Sequence, residues 1–235
     1  MKYVSRAGVE ILVRIRKRIT DTISDILFIF HGVVTFYHYP RQPADYHFIY
    51  RIRHEREALF DLPEGYHIYS AVKATRSVPG DIAEVGVYKG ASSKIISTIK
   101  GKRTVYLFDT FTGLPEPTGA DHIVHHKGMF RARLDDVKAY LQKFRGVKIY
   151  PGIFPETAKF IQRKKFSFVH LDVDLYKSTR DCLRFFYPRM SKGGMILSHD
   201  YGSLSGVKKA FDEFFRDKPE PIMELVGTQC LVVKL

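Results

Sequence analysis

Four apolar runs of this 235-residue chain end in side chains able to do chemistry. Asp81-Ile-Ala-Glu84-Val runs into Gly86 and Gly90, and Arg103-Thr-Val-Tyr-Leu-Phe ends at Asp109. Phe166-Ser-Phe-Val-His-Leu ends at Asp172-Val-Asp174, and Met195-Ile-Leu-Ser ends at His199-Asp200. Glycines where a strand turns into a helix let a ligand approach the backbone, and a helix N-terminus favours negative charge. An acid about 20 residues past such glycines has the spacing of a ribose-hydroxyl acceptor, which Asp109 matches. The pattern points to a nucleoside-containing cofactor. Carboxylates and an imidazole brought together could hold an oxygen-ligated divalent cation, act as a general base, or do both. The plainer roles are helix caps, Asp174 after the third of these runs and Asp200 after the fourth.

These residues meet only if the runs are parallel strands with their carboxyl ends on one face. Strands are expected over 81–87, 103–109, 147–150, 166–172, 194–199, 221–226 and 229–234. Helices are expected over 91–100, 133–144, 155–163, 177–189 and 204–216. Alternating β and α with near-continuous apolar strands means a sheet covered on both faces. The last two strands, joined almost directly at Gly227, must pair antiparallel, because a parallel crossover needs about a dozen residues. A mostly parallel, doubly wound α/β sheet of seven strands with an antiparallel C-terminal hairpin is similar in outline to the class I methyltransferases. The connection from Thr110 to Arg131 is long for a compact domain, so it is expected to be a lid carrying Asp121, His122, His125 and His126.

Upstream, Leu12, Ile15, Ile19, Ile23, Ile26 and Phe30 recur at helical steps, with Arg14, Arg16, Lys17 and Arg18 on the other side. That pattern permits peripheral membrane contact through residues 1–40, or cover over a partner subunit or the chain's own core. It falls short of the ~18–20 uninterrupted apolar residues of a spanning helix. The domain expectation is an N-terminal helical cap or arm over 1–75, with a helix at 65–75, and a cofactor-binding domain over 76–235. A homo-oligomer is expected. The net charge of +13 admits a nucleic acid, an anionic membrane or an acidic substrate as partner. Interleaved Arg and aromatics at 46–54 read better as a half-buried surface than as a nucleic-acid platform. Cys182 and Cys230, without a CxxC, suit free thiols of a reducing compartment. Met1-Lys-Tyr-Val-Ser-Arg is unlike a secretory signal, so the expected location is cytoplasmic.

In order along the chain stand Glu84-Val-Gly-Val-Tyr-Lys-Gly-Ala-Ser92, Phe108-Asp-Thr-Phe-Thr-Gly-Leu-Pro-Glu116, Gly152-Ile-Phe-Pro-Glu-Thr157 and Leu171-Asp-Val-Asp-Leu-Tyr-Lys-Ser-Thr179. Tyr187-Pro-Arg-Met-Ser-Lys-Gly-Gly194 and His199-Asp-Tyr201 follow. The set, over residues 63 to 216, resembles the macrocin O-methyltransferase family of S-adenosylmethionine-dependent sugar O-methyltransferases. The resemblance implies S-adenosylmethionine on Glu84, Gly86, Gly90 and Ser92, its ribose on Asp109 and its adenine near Phe154. It implies Asp172 as general base or cation ligand, and a sugar or glycosylated small molecule as acceptor. The family's cation ligands in strand five are an Asp-Asp pair, and here they read His199-Asp200. Two outcomes stay open at that point. Asp172, His199 and Asp200 hold Mg²⁺ or a transition metal such as Mn²⁺, or His199 is a metal-free base. Two other classes remain in view, a tethered binding protein on the same fold and an RNA methyltransferase. The chain lacks the Asn/Asp-Pro-Pro-Tyr segment of adenine and cytosine N-methyltransferases.

Overall fold

The apolar runs do become strands, and their register decides where chemistry can occur. The structure, a computed structural model, describes residues 43–121 and 124–235, and the chain divides into two compact units, Met1–Phe48 and Ile49–Leu235. The amphipathic pattern of residues 1–40 lies outside the described residues, as does His122.

Among the described residues two helices precede the sheet, α1 (Pro43–Glu55) and α2 (Leu62–Ala74). Asp61 starts α2 through a reciprocal cap with Glu64, which satisfies two backbone donors at the helix end. The sheet comprises β1 (Asp81–Val85), β2 (Val105–Asp109), β3 (Val147–Pro151), β4 (Phe166–Leu171), β5 (Met190–Ser198), β6 (Met223–Glu224) and β7 (Cys230–Val233). Their spatial order is β3-β2-β1-β4-β5-β7-β6. The first five are parallel, while β7 runs antiparallel to both β5 and β6, which gives the expected closing hairpin. The connecting helices are α3 (Ala91–Ile99), α4 (Leu134–Leu141), α5 (Tyr176–Phe186) and α6 (Ser205–Phe215). Phe108, Phe166, Phe168, Phe186 and Phe211 are fully buried between these layers.

Two departures from expectation have a plain local cause. The segment expected as a helix over 155–163 is a 3-10 helix, Glu156–Ile161. Its buried residues, Ala158 and Ile161, are three apart, the repeat of that tighter coil. β5 begins at Met190 instead of 194, because the strand continues through Gly193-Gly194. Its pairing jumps from Phe166–Met190 to Phe168–Met195, and Gly193 takes a φ of +79° that side-chain-bearing residues rarely adopt.

Val85 pairs with both Phe108 and Leu171, and Leu171 with Ser198. The next residues, Gly86, Asp109, Asp172 and His199, therefore form one row across the carboxyl ends of four strands. The ladder extends into this row: Gly86 N donates to Phe108 O at 2.9 Å, Asp172 N to Val85 O at 2.9 Å and His199 N to Leu171 O at 2.8 Å. Among the described residues no helix is long and apolar enough to cross a membrane.

Candidate active site

At one end of the row β1 turns into α3 over a carboxylate. Asp109 Oδ2 accepts from Val87 N at 2.7 Å and Tyr88 N at 2.8 Å, and Oδ1 accepts from Phe111 N at 2.6 Å. Burial pushes its carboxyl up, and the three backbone donors oppose that. Gly86 has a φ of +89°, and a Cβ there would lie 1.7 Å from Asp172 O, so no other residue fits between β1 and β4. Gly90, at φ +85°, is the N-cap of α3 and Ser92 lies buried in its first turn. Glu84 has no exposed surface: Ser93 Oγ donates to it and His170 Nδ1 lies 2.9 Å away. It ties β1 to α3 and β4 beneath the turn. Phe154 stacks on Phe186 and meets Phe108 and Phe185 edge-on, at the margin of the aromatic core.

Two strands further along, His199 is held between carboxylates. Its Nδ1 lies 3.0 Å from Asp200 Oδ2 and 3.8 Å from Asp172 Oδ1, while Nε2 lies 3.1 Å from Glu64 Oε2. Burial opposes charge on this ring. The charges of Asp172 and Asp200, with hydrogen bonds to Asp200 and Glu64, outweigh it and hold the imidazole well above its ordinary range. The reciprocal effect keeps Asp200 low despite burial, chiefly through the charge and hydrogen bond of His199, with Ser203 helping. Asp172 is raised by burial, with Asp200 adding to the shift and His199 opposing it. Asp174 is raised further, by burial and then by Asp200 and Asp172. Asp172, His199 and Asp200 can each offer one ligand atom, all within 4.8 Å of one another.

The capping roles do not occur. Asp200 makes no side-chain cap on α6, and its carboxylate takes Ser203 Oγ at 2.8 Å instead. Asp174 does not cap α5: the Tyr176 N–H is accepted at 2.6 Å by Asp121, from the long connection. Asp121 also accepts from Thr118 N and Oγ1, and the base of the loop closes where Leu114 N meets Met129 O at 2.8 Å. Asp174 and Asp200 have positive φ values of 57° and 62°, as does Tyr88 after β1 at 48°. Backbone held this way costs about 1–3 kcal/mol per residue and gathers at functional sites.

Glu64 was not among the residues singled out from sequence. The Asp61-Leu-Pro-Glu64 pattern signals a helix start, which explains why α2 begins before residue 65. Nothing in that pattern says that the same carboxylate reaches residue 199.

The geometry is a glycine turn over an acid beside an acid–imidazole cluster, all on a β3-β2-β1-β4-β5-β7-β6 sheet. Solved structures share the fold. The O-methyltransferase NovP superposes with a TM-score of 0.68 at 23% identity, over 75% of this chain and 81% of that one. The calicheamicin methyltransferase CalS11 gives 0.64 at 19%, over 72% and 78%. Among characterised relatives, the 8-demethyl-8-(2,3-dimethoxy-alpha-L-rhamnosyl)-tetracenomycin-C 4'-O-methyltransferase of Streptomyces olivaceus is 31% identical, covering 64% of each chain. The demethyldecarbamoylnovobiocin O-methyltransferase of Streptomyces niveus is 31% identical, covering 59% of each. The chain thus spans less than two thirds of the length of either relative. Residues 67–229, which include the glycine turn, Asp109 and the His199 cluster, match the family Macrocin-O-methyltransferase (TylF), and the chain belongs to that family.

Proposed function

We propose that the protein is an S-adenosylmethionine-dependent O-methyltransferase acting on a hydroxyl of a sugar or glycosylated small molecule. The observation that carries this reading is the single row of Gly86, Asp109, Asp172 and His199, which sets a nucleoside cradle beside a proton acceptor. Gly86, Gly90 and Ser92 would face the methionine part of the donor, with Glu84 holding their turn from beneath. Asp109 keeps one lone pair, on Oδ1, for a ribose hydroxyl while its three backbone donors fix its direction. Phe154 would lie near the adenine.

Methyl transfer from a sulfonium is an in-line displacement from a good leaving group, so alignment supplies much of the rate. The acceptor alcohol becomes a good nucleophile only as its proton leaves. Asp172 suits that proton: it is part-exposed and its carboxyl is raised by burial, which makes it a stronger base than an ordinary aspartate. His199 is a poorer base, because both its nitrogens already face carboxylates. A divalent cation held by Asp172, His199 and Asp200 would polarise the hydroxyl and lower its pKa. Two oxygens and one nitrogen suit Mn²⁺ better than Mg²⁺, which prefers oxygen alone. The arrangement fits a ligating histidine, since Glu64 accepts the proton of the other ring nitrogen.

The wider proposal keeps residues 1–75 as cap or arm and 76–235 as the cofactor domain. Homo-oligomerisation and peripheral membrane contact through 1–40 belong to it as well. Two buried free thiols support a cytoplasmic setting. An acceptor screen with labelled S-adenosylmethionine, with and without EDTA, tests the reading. Transfer to a sugar hydroxyl is expected, reduced by EDTA and restored by Mn²⁺. Absence of S-adenosylhomocysteine binding by calorimetry would overturn it.

A further inference from the structure

Glu64 begins as an ordinary helix-capping residue and ends somewhere unusual. A capping glutamate normally sits at the surface with one backbone partner, but this one is 4% exposed. Its Oε2 accepts from Asp61 N at 2.9 Å and faces His199 Nε2 at 3.1 Å. Its Oε1 accepts from Thr228 N at 3.0 Å and Thr228 Oγ1 at 2.8 Å. Two partners on each oxygen fill its capacity as an acceptor. The β6–β7 turn is built around it: Gly227 has a φ of +91°, and a Cβ there would lie 2.8 Å from Oε1. A carboxylate so committed has nothing left for substrate or cation, so any effect on the reaction must pass through His199.

That effect is directional. The two nitrogens of an imidazole point to opposite sides of the ring, so holding Nε2 on Glu64 aims Nδ1 between Asp172 and Asp200. An outer carboxylate that fixes the ring and its tautomer is the support a ligating or catalytic histidine needs. We infer that Glu64 is a positioning residue, which holds His199 Nδ1 toward Asp172 and Asp200 and couples that orientation to α2 and the β6–β7 turn. The inference rests on the proposed role of the Asp172–His199–Asp200 cluster, and goes beyond it by adding a residue from outside the strand ends.

The test compares the full chain with Glu64→Gln and, as a structural control away from the cluster, Glu220→Gln. Mn²⁺ affinity is measured by electron paramagnetic resonance, S-adenosylhomocysteine affinity by calorimetry. Glu64→Gln should weaken Mn²⁺ about 10–100-fold and lower kcat while cofactor affinity stays within about twofold. Glu220→Gln, whose carboxylate is buried against Tyr187 and Lys234 and touches none of the cluster, should cost thermal stability but change Mn²⁺ affinity little. Unchanged Mn²⁺ affinity in Glu64→Gln, with only a lower Tm, would overturn the inference. If Glu64→Gln does not fold, nitrogen NMR of the wild-type histidine rings with Zn²⁺ as a diamagnetic probe decides it. A proton on Nε2 and a shifted Nδ1 agree with the inference, and the reverse tautomer contradicts it. If the wild type binds no divalent cation, the cation reading falls separately. The pH profile of methyl transfer then decides the positioning role, since a purely structural Glu64 would leave that profile unmoved in Glu64→Gln.

Discussion

The two ends of the parallel sheet carry opposite charge and solve opposite problems. At the carboxyl ends, Asp172 and Asp200 flank His199 with Glu64 behind it, Asp174 lies beside that cluster, and Asp109 stands three strands away under the glycine turn. At the amino ends stand Lys102, Arg103, Arg145, Arg163, Lys164 and Lys165, each just before a strand. Most of the latter are exposed, and Arg103 is the instructive exception. It donates to Lys100 O, Thr75 O, Thr75 Oγ1, Ser167 Oγ and Val72 O at 2.8–3.1 Å, a clamp joining the end of α2 to β2 and β4. The cation at this end is satisfied by neutral acceptors and serves stability. The carboxylates at the other end crowd together, two of them raised by burial, and are the proposed seat of the chemistry. So six of the cations behind the net charge of +13, read as an invitation to a polyanion, stand at the end of the sheet away from the carboxylates.

The sharpest way to break the comparison is Asp172→Asn. Removing the proposed proton acceptor should lower methyl transfer by about 10²–10⁴-fold, with S-adenosylhomocysteine affinity nearly unchanged by calorimetry. Tm should hold or rise, since a carboxylate raised by burial costs stability at neutral pH. A large loss of Tm would show that the acidic end is structural after all. Arg103→Met is the mirror experiment. Leaving buried carbonyls of Val72 and Thr75 unpaired should cost about 3 kcal/mol in urea unfolding. Cofactor affinity should not change, and activity in the folded fraction should persist.

Acid titration separates the members of the acidic end. Glu64 is held below its ordinary value of 4.5: burial alone would raise it, but the hydrogen bond and charge of His199 win. A depressed carboxyl contributes stability above its unfolded pKa and loses it as pH falls through the folded one. His199 is raised above 6.5, so its contribution is complete below that pH and is lost only as pH climbs through the higher folded value. Asp172 and Asp174 are raised from 3.8 and act in the reverse sense to Glu64, costing stability as pH rises. The stability difference between wild type and Glu64→Gln should therefore be flat near neutral pH and shrink below about 4.5. Unfolding curves from pH 3 to 7 would reveal a constant difference if the carboxylate's charge plays no part.

Much of this was legible because strand ends are local. Gly86, Asp109, Asp172, His199 and Asp200 each close or follow an apolar run, and the parallel register does the rest. Glu64 was not legible, because its contact spans 135 residues and depends on how α2 packs, which no run or spacing encodes. Asp174 and Asp200 were misread as possible caps for a related reason. Cap chemistry is local and recognisable, whereas the residue accepting the first α5 N–H, Asp121, comes from 55 residues away. Gly193-Gly194 looked like a break before β5, but the strand passes through it with a shift of pairing. Sequence spacing finds what the backbone ladder positions and misses what side chains bring from elsewhere.

The smallest effect tests the exposed part of the basic end. Lys164 lies 3.9 Å from Asp81, with its side chain 50% exposed and that of Asp81 23% exposed. Asp81 also accepts from Thr104 N at 3.0 Å, which helps seat β2 beside β1 without any cation. An exposed pair at this distance is worth about 0–1 kcal/mol and weakens in salt. Lys164→Ala should thus lower stability by less than about 1 kcal/mol at low ionic strength, with the difference vanishing at high salt. Neither cofactor affinity nor kcat should move, because the substitution lies a full strand length from the row that holds Asp172. A marked loss of activity in Lys164→Ala would mean that the two ends are coupled, and that the basic end does more than hold the sheet in water.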